Sequence, residues 1–379
     1  MRILRKRALP RLHFAASESD ADMLYATGFF APDAFWYLEH KGKKFIFLNE
    51  LEIDRARKVV SEVEVLSFSE IEKTHRAGRK RFGGSAFSMG KYLKRLGLNS
   101  VEVPPSFPLG VATELARCGV LCRPTKGAFF PEREIKAERE IQNLAEAQRA
   151  AQAAMWRARE ILRECKRGRG GVLCWGGKKL DSTRLRGELQ TSLARHGASC
   201  QRLIVAGGNE ACDPHEIGSG PLRADEMIIV DIFPRMSSTG YWGDITRTFC
   251  VGQPRTELAA LHAAVLEAQK LALGKIRDGC DGNKLQESVK QEFFRKGYIT
   301  GVQDGRNVGF FHGLGHGIGL DIHESPRFSD GILRTGQTVT VEPGLYYPGL
   351  GGVRIEDLVV VTECGCKNLT SFPKDWRVK

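Results

Sequence analysis

Apolar residues in the N-terminal part of the chain alternate between short runs and helical spacing. The short runs predict strands at 43–49, 62–68, 100–105 and 119–124. Apolar positions three or four residues apart predict intervening helices at 51–60 and 108–118. This alternation is typical of a small α/β domain.

A boundary follows where proline, glycine and charged residues replace the periodic pattern, in PTKGAFFPERE at 124–134. We therefore predict an N-terminal α/β domain over 1–128 and a second domain over 129–379. The second domain is predicted to begin with a long amphipathic helix at 134–165. Its buried face is predicted to contain Ile141, Leu144, Ala147, Ala151 and Met155.

The rest of the second domain mixes strands and helices. A helix is predicted at 184–197, with Leu185, Leu189 and Leu193 aligned, and two more at 256–276 and 284–294. Apolar, β-prone segments predict strands at 201–206, 226–234, 241–251, 338–348 and 352–363. The pattern predicts an α+β domain whose helices flank a curved antiparallel sheet.

Composition and charge describe a globular protein, with 42% hydrophobic and 27% charged residues in a chain of 379. The net charge of +12 raises the question of a nucleic-acid partner. The densest basic run, RAGRKRF at 76–82, has little of the aromatic interleaving that single-strand binders use. We interpret it as a solvated basic face and expect no nucleic-acid partner.

Location is suggested by the termini and the cysteines. No apolar run approaches the roughly 18 residues of a membrane helix, and the basic start lacks the apolar segment of a signal peptide. The ten cysteines form no CxxC pair. We expect free thiols in a reducing cytoplasm, with no membrane partner.

Histidines are concentrated in HGLGHGIGLDIHESP at 312–326, which contains His312, His316 and His323 among four glycines. A polar loop would explain any one of them. A metal site would explain the cluster, but it requires partner ligands elsewhere in the chain.

Carboxylates in apolar strands supply those partners. Asp231 and Asp244 lie in β-prone segments joined by turn-forming residues, which predicts an antiparallel hairpin with the two aspartates facing each other. Glu342 and Glu356 interrupt the last two apolar segments. Buried carboxylates need a cation or a hydrogen-bonding partner.

Four carboxylates and at least one imidazole form a ligand set rich in oxygen. Such a set favours Mn²⁺ or Co²⁺, with Zn²⁺ and Fe²⁺ also compatible. The negative charge is too large for one dication, so we predict two metal ions bridged by carboxylates.

The motifs resemble those of a known family. GDITRTF, GHGIGLDIHESP, VEPGLYYPG and VRIEDLVVVTE resemble, in chain order, the signatures of the pita-bread metallopeptidases. That family includes Xaa-Pro aminopeptidases, Xaa-Pro dipeptidases (prolidases) and methionine aminopeptidases. The segment at 20–38 resembles the additional N-terminal domain of the creatinase and prolidase branch.

The resemblance implies roles for individual residues. It implies a dinuclear peptidase that cleaves before a proline in the second position of a peptide, in a homodimer. Glu342 would also be the proton shuttle, and His215, His312 and His323 would line the pocket. Independently of the resemblance, Arg354 lies two positions before Glu356 on the same predicted strand face, where it is expected to hold a carboxylate in place, with a direct substrate contact as the alternative. The metal ligands implied are Asp231, Asp244, His316, Glu342 and Glu356, with Asp244 and Glu356 bridging the two ions.

One departure from the family pattern concerns the hairpin. Asp231 and Asp244 are thirteen positions apart, two more than is usual in the family, and Ile232, Phe233 and Pro234 replace the common small residues. We expect the ligand geometry to be kept and substrate preference to change. This segment leaves open a same-fold enzyme with a small non-peptide substrate. A non-catalytic binding scaffold is a further alternative, which the filled ligand positions disfavour.

Overall fold

The computed structural model describes residues 9–75 and 84–378. The chain divides into an N-terminal unit, Met1–Pro131, and a C-terminal unit, Glu132–Lys379. The basic run at 76–82 lies outside the described residues. Among the helices that are described, none is long and apolar enough to cross a membrane.

The N-terminal unit contains one six-stranded mixed sheet, in the order β4-β3-β2-β1-β5-β6. Neighbours in β1–β2 and β2–β3 are antiparallel, and the other neighbours are parallel. Its strands are β1 (Arg11–Ala15), β2 (Phe35–His40), β3 (Lys43–Leu48), β4 (Glu64–Ser67), β5 (Ser100–Val103) and β6 (Leu121–Pro124). Its helices are α1 (Ala21–Thr27), α2 (Ile53–Val59), α3 (Phe68–His75), α4 (Ser85–Arg95) and α5 (Leu109–Arg117).

The C-terminal unit begins with the long amphipathic helix that the sequence predicts. A 3₁₀ turn over Pro131–Glu134 precedes it, and the Glu140 side chain accepts a hydrogen bond from the Ala137 N–H at 2.9 Å, so the helix begins after Ala137. Four of the five residues predicted for its inner face are buried, whereas Ile141 is half-buried. The helices are α6 (Glu138–Glu164), α7 (Ser182–Arg195), α8 (Thr256–Leu273) and α9 (Gly282–Arg295).

The sequence predicts a single curved sheet, but the C-terminal unit contains several small sheets. Two of them are central to the site. These two have the strand orders β11-β12-β14 and β18-β17-β19-β22-β23. Apolar residues of α8, α9, β19 and β22 share one buried cluster. The strands of the unit are β7 (Lys166–Arg167), β8 (Leu173–Trp175), β9 (Lys178–Lys179), β10 (Ala198–Ser199), β11 (Ile204–Gly207), β12 (Ile228–Ile232), β13 (Arg235–Met236), β14 (Ile245–Phe249), β15 (Gly301–Gln303), β16 (Arg306–Val308), β17 (His316–Gly317), β18 (Glu324–Arg327), β19 (Thr338–Val341), β20 (Gly344–Tyr347), β21 (Gly351–Arg354), β22 (Asp357–Val361) and β23 (Cys366–Asn368).

The predicted antiparallel pairing around the two aspartates is present, but the aspartates do not face each other. Asp231 in β12 pairs directly with Thr246 in β14. Asp244 lies two residues before Thr246, immediately before β14 begins. Alternate strand residues share a face, so the two aspartates are diagonal neighbours. The segment between them contains β13, which pairs with β10.

Each of the last two predicted strands is divided in two. Glu342 and Pro343 separate β19 from β20, and Ile355 and Glu356 separate β21 from β22. Pro343 has no N–H to donate to a ladder. At both breaks the chain changes partner, because β19 pairs with β22 whereas β20 pairs with β21. Both glutamates therefore lie where the chain leaves one sheet for another.

Helix α8 contains a buried histidine, His262, whose pKa is lowered. His262 is 4% exposed, and its Nε2 has no hydrogen-bond partner among the described residues. Burial, together with the nearby Arg247, lowers the pKa of His262 to about 4, although Asp375 opposes the shift. The folded-state pKa lies below the unfolded value, so the unfolded chain binds more protons and stability falls as pH falls below about 6.5.

Replacing this histidine should reduce the acid sensitivity of the fold. Between pH 7.5 and pH 4.5 we expect wild-type protein to lose about 2–3 kcal/mol more unfolding free energy than His262→Leu. Urea unfolding at both pH values measures the difference. The exposed His196, at the end of α7, provides the control, since His196→Leu should keep the wild-type pH dependence. Equal losses in wild type and His262→Leu would contradict the assignment.

Candidate metal centre

All the sequence-predicted site residues line one cavity of the C-terminal unit, with a volume of about 710 Å³. Asp231 comes from β12, and Asp244 immediately precedes β14. The cavity is lined by the predicted ligands Asp231, Asp244, His316, Glu342 and Glu356 and by the predicted pocket residues His215, His312, His323 and Arg354.

The ligand atoms lie close enough to share a cation. One ligand atom each from Asp244, His316 and Glu356 lies within 4.8 Å of the others. His316 Nε2 is 3.7 Å from Asp244 Oδ2 and 3.4 Å from Glu342 Oε1. The short strand β17 thus brings an imidazole to carboxylates that come from two different sheets.

His316 is oriented to present a free lone pair. Its Nδ1 donates to the Gly317 carbonyl oxygen at 3.1 Å, so Nε2 is unprotonated in the neutral ring. Its backbone N–H donates to Thr340 Oγ1 at 3.0 Å. Burial, and then the neighbouring His323, lowers the pKa of His316 to about 4. The ring is therefore neutral at pH 7, as a metal ligand must be.

The carboxylates repel one another in the absence of a cation. Burial raises the pKa of Asp244 well above its ordinary value, and Glu356, Asp231 and Glu342 raise it further. Burial also raises the pKa of Glu356, again with help from its neighbours. Burial raises the pKa of Glu342 to about 7, although Arg354 opposes the shift. A buried cluster of this kind is stabilised by bound positive charge.

Asp231 provides the test of whether the residues fit a metal ion. Its Oδ2 accepts a hydrogen bond from Arg354 Nη2 at 2.6 Å. Its Oδ1 is buried and has no hydrogen-bond partner among the described residues. An unpartnered buried carboxylate oxygen beside further carboxylates and a neutral imidazole fits an oxygen-preferring dication.

Arg354 connects several groups of the site. Its Nη1 donates to the Tyr346 hydroxyl at 3.0 Å, and its Nε donates to Thr246 Oγ1 at 3.3 Å. Thr246 Oγ1 in turn donates to Glu356 Oε2 at 2.7 Å. The Tyr346 hydroxyl lies 3.0 Å from His312 Nε2. One buried arginine thereby orients Asp231 and, through two hydroxyl groups, Glu356 and His312.

Residues 142–363 match the model of metallopeptidase family M24. The chain belongs to this family. Metallopeptidases of this family use divalent metal ions, and Asp244, His316 and Glu356 form a possible site for one.

Similar proteins agree with this family. The chain is 34% identical over 249 residues to the uncharacterized peptidase YqhT of Bacillus subtilis, a match that covers 64% of each chain. It is 29% identical over 296 residues to an Xaa-Pro dipeptidase of Pyrococcus horikoshii, covering 76% of this chain and 78% of the relative. The solved Xaa-Pro dipeptidase from Bacillus anthracis superposes with a TM-score of 0.80 at 26% identity, covering 97% of this chain and 94% of that one.

The family and the fold class predicted from the sequence are confirmed by these matches. The chain has the pita-bread fold of the creatinase and prolidase branch, and it is a metallopeptidase.

The three pocket histidines differ in how they are held in the M24 chain. His312 has both ring nitrogens engaged, since Nδ1 also donates to the Gly313 carbonyl oxygen at 2.8 Å. His323 is exposed and its ring lies edge-on to His316, with ring centroids 4.3 Å apart. His215 is exposed and follows a loop in which its backbone N–H donates to Asp213 Oδ1 at 3.3 Å.

Two buried glutamines were not predicted as site residues. Gln148 of α6 donates to the Asp244 carbonyl oxygen and accepts from the Asp244 N–H, both at 2.8 Å. Gln269 of α8 donates to the carbonyl oxygens of Val341 at 3.0 Å and Ile355 at 3.2 Å, immediately before Glu342 and Glu356. Both helices therefore fix the backbone at the points where carboxylates enter the cavity. The sequence gives one signal for them, a polar residue on a buried helical face.

The loop that carries His323 is held by charged residues before α6. Glu324 Oε1 accepts a hydrogen bond from Lys136 Nζ at 2.6 Å, and Glu324 Oε2 accepts one from Arg133 Nη2 at 2.5 Å. The Lys136 side chain is only 1% exposed, so its charge is matched by Glu324 in a nearly dry environment. This pairing restricts the position of His323.

Proposed function

We propose that this chain is a dinuclear, divalent-metal peptidase that hydrolyses the bond between an N-terminal residue and proline. The observation that carries the proposal is the convergence of four carboxylates and one neutral imidazole on a single cavity of an M24 chain. The printed names of relatives, Xaa-Pro dipeptidase among them, support proline in the second position.

The residues proposed to hold two metal ions fall into a shared and an unshared group. Asp244 and Glu356 would be shared by the two ions, as the family resemblance implies, and each is within reach of the charge of other buried carboxylates. Asp231 would complete one site, and His316 with Glu342 the other. We propose Mn²⁺, since oxygen-rich ligation favours it over thiolate-preferring metals. Bound metal ions would supply a water of lowered pKa and a polarised substrate carbonyl.

Glu342 is proposed to move the proton. Thr340 Oγ1 donates to Glu342 Oε1 at 3.2 Å, which fixes the carboxylate next to His316. In the reaction, Glu342 would accept a proton from the attacking water and transfer it to the leaving proline nitrogen. A carboxylate positioned beside the attacking water can take up its proton and return it to the leaving nitrogen.

The pocket histidines are proposed to bind and orient the substrate. No hydrogen bond of the His215 or His323 ring is found among the described residues, so both rings are available to stabilise the developing oxyanion. His312 would orient the substrate from the cavity wall. An Xaa-Pro bond has no N–H on its proline side, so recognition must come from such groups rather than from the peptide donor.

The proposal also includes a homodimer and a cytoplasmic location. The homodimer follows from the family resemblance. The ten free cysteines support a reducing compartment.

A peptide series tests the proposed reaction. Purified protein with Mn²⁺ is expected to release the first residue from Leu-Pro, Leu-Pro-Ala or Leu-Pro-Ala-Ala-Ala, and to lose this activity when metal is chelated. Leu-Ala controls for the requirement for proline. The length dependence separates a dipeptidase from an aminopeptidase. Stoichiometric bound metal with no cleavage of any member would contradict the proposal and favour a non-peptide substrate.

A further inference from the structure

One of the residues that depart from the family pattern, Phe233, faces the cavity. Phe233, which follows Asp231 by two residues in place of a small residue, lines the cavity together with Arg202 and Ile204. In the β11–β12 ladder, Ile204 pairs with Asp231. Arg202 lies two residues before Ile204, so Arg202 and Phe233 both extend the cavity wall beyond the same end of this pair.

The wall around Ile204 combines apolar side chains with a cation. Ile204, Ile217 and Phe233 belong to one apolar cluster and all line the cavity. Arg202 is exposed, and its guanidinium has no hydrogen-bond or ion-pair partner among the described residues. An apolar wall with a free cation at its rim is complementary to a side chain that has an aliphatic stem and a negative end.

The other cations of the cavity occupy different positions. Arg354 is already engaged by Asp231 and Tyr346. Arg327, which also lines the cavity, pairs with His316 in the β17–β18 ladder, on the side of the carboxylate cluster that holds Glu342. Arg202 thus lies two residues from Ile204, the strand partner of Asp231, whereas Arg327 is itself the strand partner of His316.

The orientation of the bound substrate determines whether Arg202 contacts its first residue or its proline. In the proposed reaction Glu342 protonates the leaving nitrogen, so the proline half lies towards His316 and Arg327. The first residue then lies towards Asp231, where its side chain reaches the wall of Ile204 and Phe233. We propose that Arg202 and Phe233 form a subsite for the first side chain and that this subsite selects an acidic residue. This inference rests on the proposed function and adds its substrate class.

A charge reversal tests the subsite. We expect wild-type protein with Mn²⁺ to show a kcat/KM for Glu-Pro about tenfold above that for Lys-Pro, with Leu-Pro between them, since one partly exposed charge both attracts and repels. Arg202→Glu should reverse this order, and Arg202→Lys should keep it. Because Arg202 has no partner in the described chain, thermal melting of both variants should match wild type.

A second arginine provides the matched control. Arg327→Gln removes a cavity-lining cation on the other side and should leave the Glu-Pro to Lys-Pro ratio unchanged. Each substrate is also tested as its C-terminal amide. If Arg202→Glu lowers kcat/KM for all free dipeptides alike but leaves kcat/KM for the amides unchanged, Arg202 binds the terminal carboxylate and the inference is wrong. An unchanged ratio in Arg202→Glu would also overturn it. Absence of cleavage by wild-type protein would instead overturn the proposed function on which the inference rests.

Discussion

Glu342→Gln is expected to lower kcat by about 10²- to 10⁴-fold, the usual contribution of a positioned general acid–base. The substitution keeps the size of the side chain and one oxygen, but it removes the group that would accept and return a proton. Thr340 can still donate to the amide oxygen. The loss should therefore appear in kcat more than in KM, and steady-state kinetics on Leu-Pro measure both.

The control for Glu342→Gln is a glutamate outside the cavity. Glu363 is exposed beyond the end of β22, so Glu363→Gln should have wild-type kinetics. Metal content is determined for both variants, because Glu342 is also a proposed ligand. A Glu342→Gln protein that retained its metal and more than about one tenth of the wild-type kcat would contradict the proton-shuttle role.

Asp244→Asn is expected to remove most of the stabilisation of the fold by Mn²⁺. In wild-type protein, metal at 100 times its Kd should add about 2.7 kcal/mol of unfolding free energy for each site. Asp244 is proposed to bridge both ions, so Asp244→Asn should lose most of this stabilisation by Mn²⁺. It should also lose peptide hydrolysis. Differential scanning calorimetry with and without Mn²⁺ measures the change in Tm.

The same variant should behave in the opposite way without metal. Burial and three neighbouring carboxylates disfavour the charge on Asp244 and raise its pKa. Removing that charge relieves the repulsion, so Asp244→Asn should melt about 2–4 °C above wild type in a chelator, the shift expected for ~1 kcal/mol in a domain of this size. Asp54→Asn, on the exposed side of α2 in the N-terminal unit, is the control and should match wild type in both conditions. Equal Mn²⁺ stabilisation of Asp244→Asn and wild type would contradict a bridging role.

Much of the fold could be predicted because its helices are long and periodic. The aligned leucines Leu185, Leu189 and Leu193 are buried in α7 as predicted, and α8 and α9 lie where the apolar spacing indicates them. Strand limits were harder to predict. Continuous apolar patterns at 338–348 and 352–363 conceal breaks at Glu342 and Glu356, because alternation does not reveal which sheet each half joins.

The site residues that the sequence suggested were acids and histidines whose presence is unfavourable in apolar surroundings. The residues that the sequence did not suggest contact residues that are far away along the chain. Gln148 contacts Asp244 across 96 positions, and Gln269 contacts Val341 across 72. A polar residue on a buried helical face is a local signal for such a glutamine, but it does not indicate which distant backbone groups the side chain contacts. The register that places Thr246 opposite Asp231 is similarly set by pairing between strands, not by spacing within one.

A crystal structure determined after soaking with excess Mn²⁺ tests the central claim most directly. Anomalous diffraction at the manganese edge should show two peaks roughly 3.5–4 Å apart, surrounded by Asp231, Asp244, His316, Glu342 and Glu356. Absence of any peak among these five side chains, or a single ion bound elsewhere in the cavity, would contradict the account.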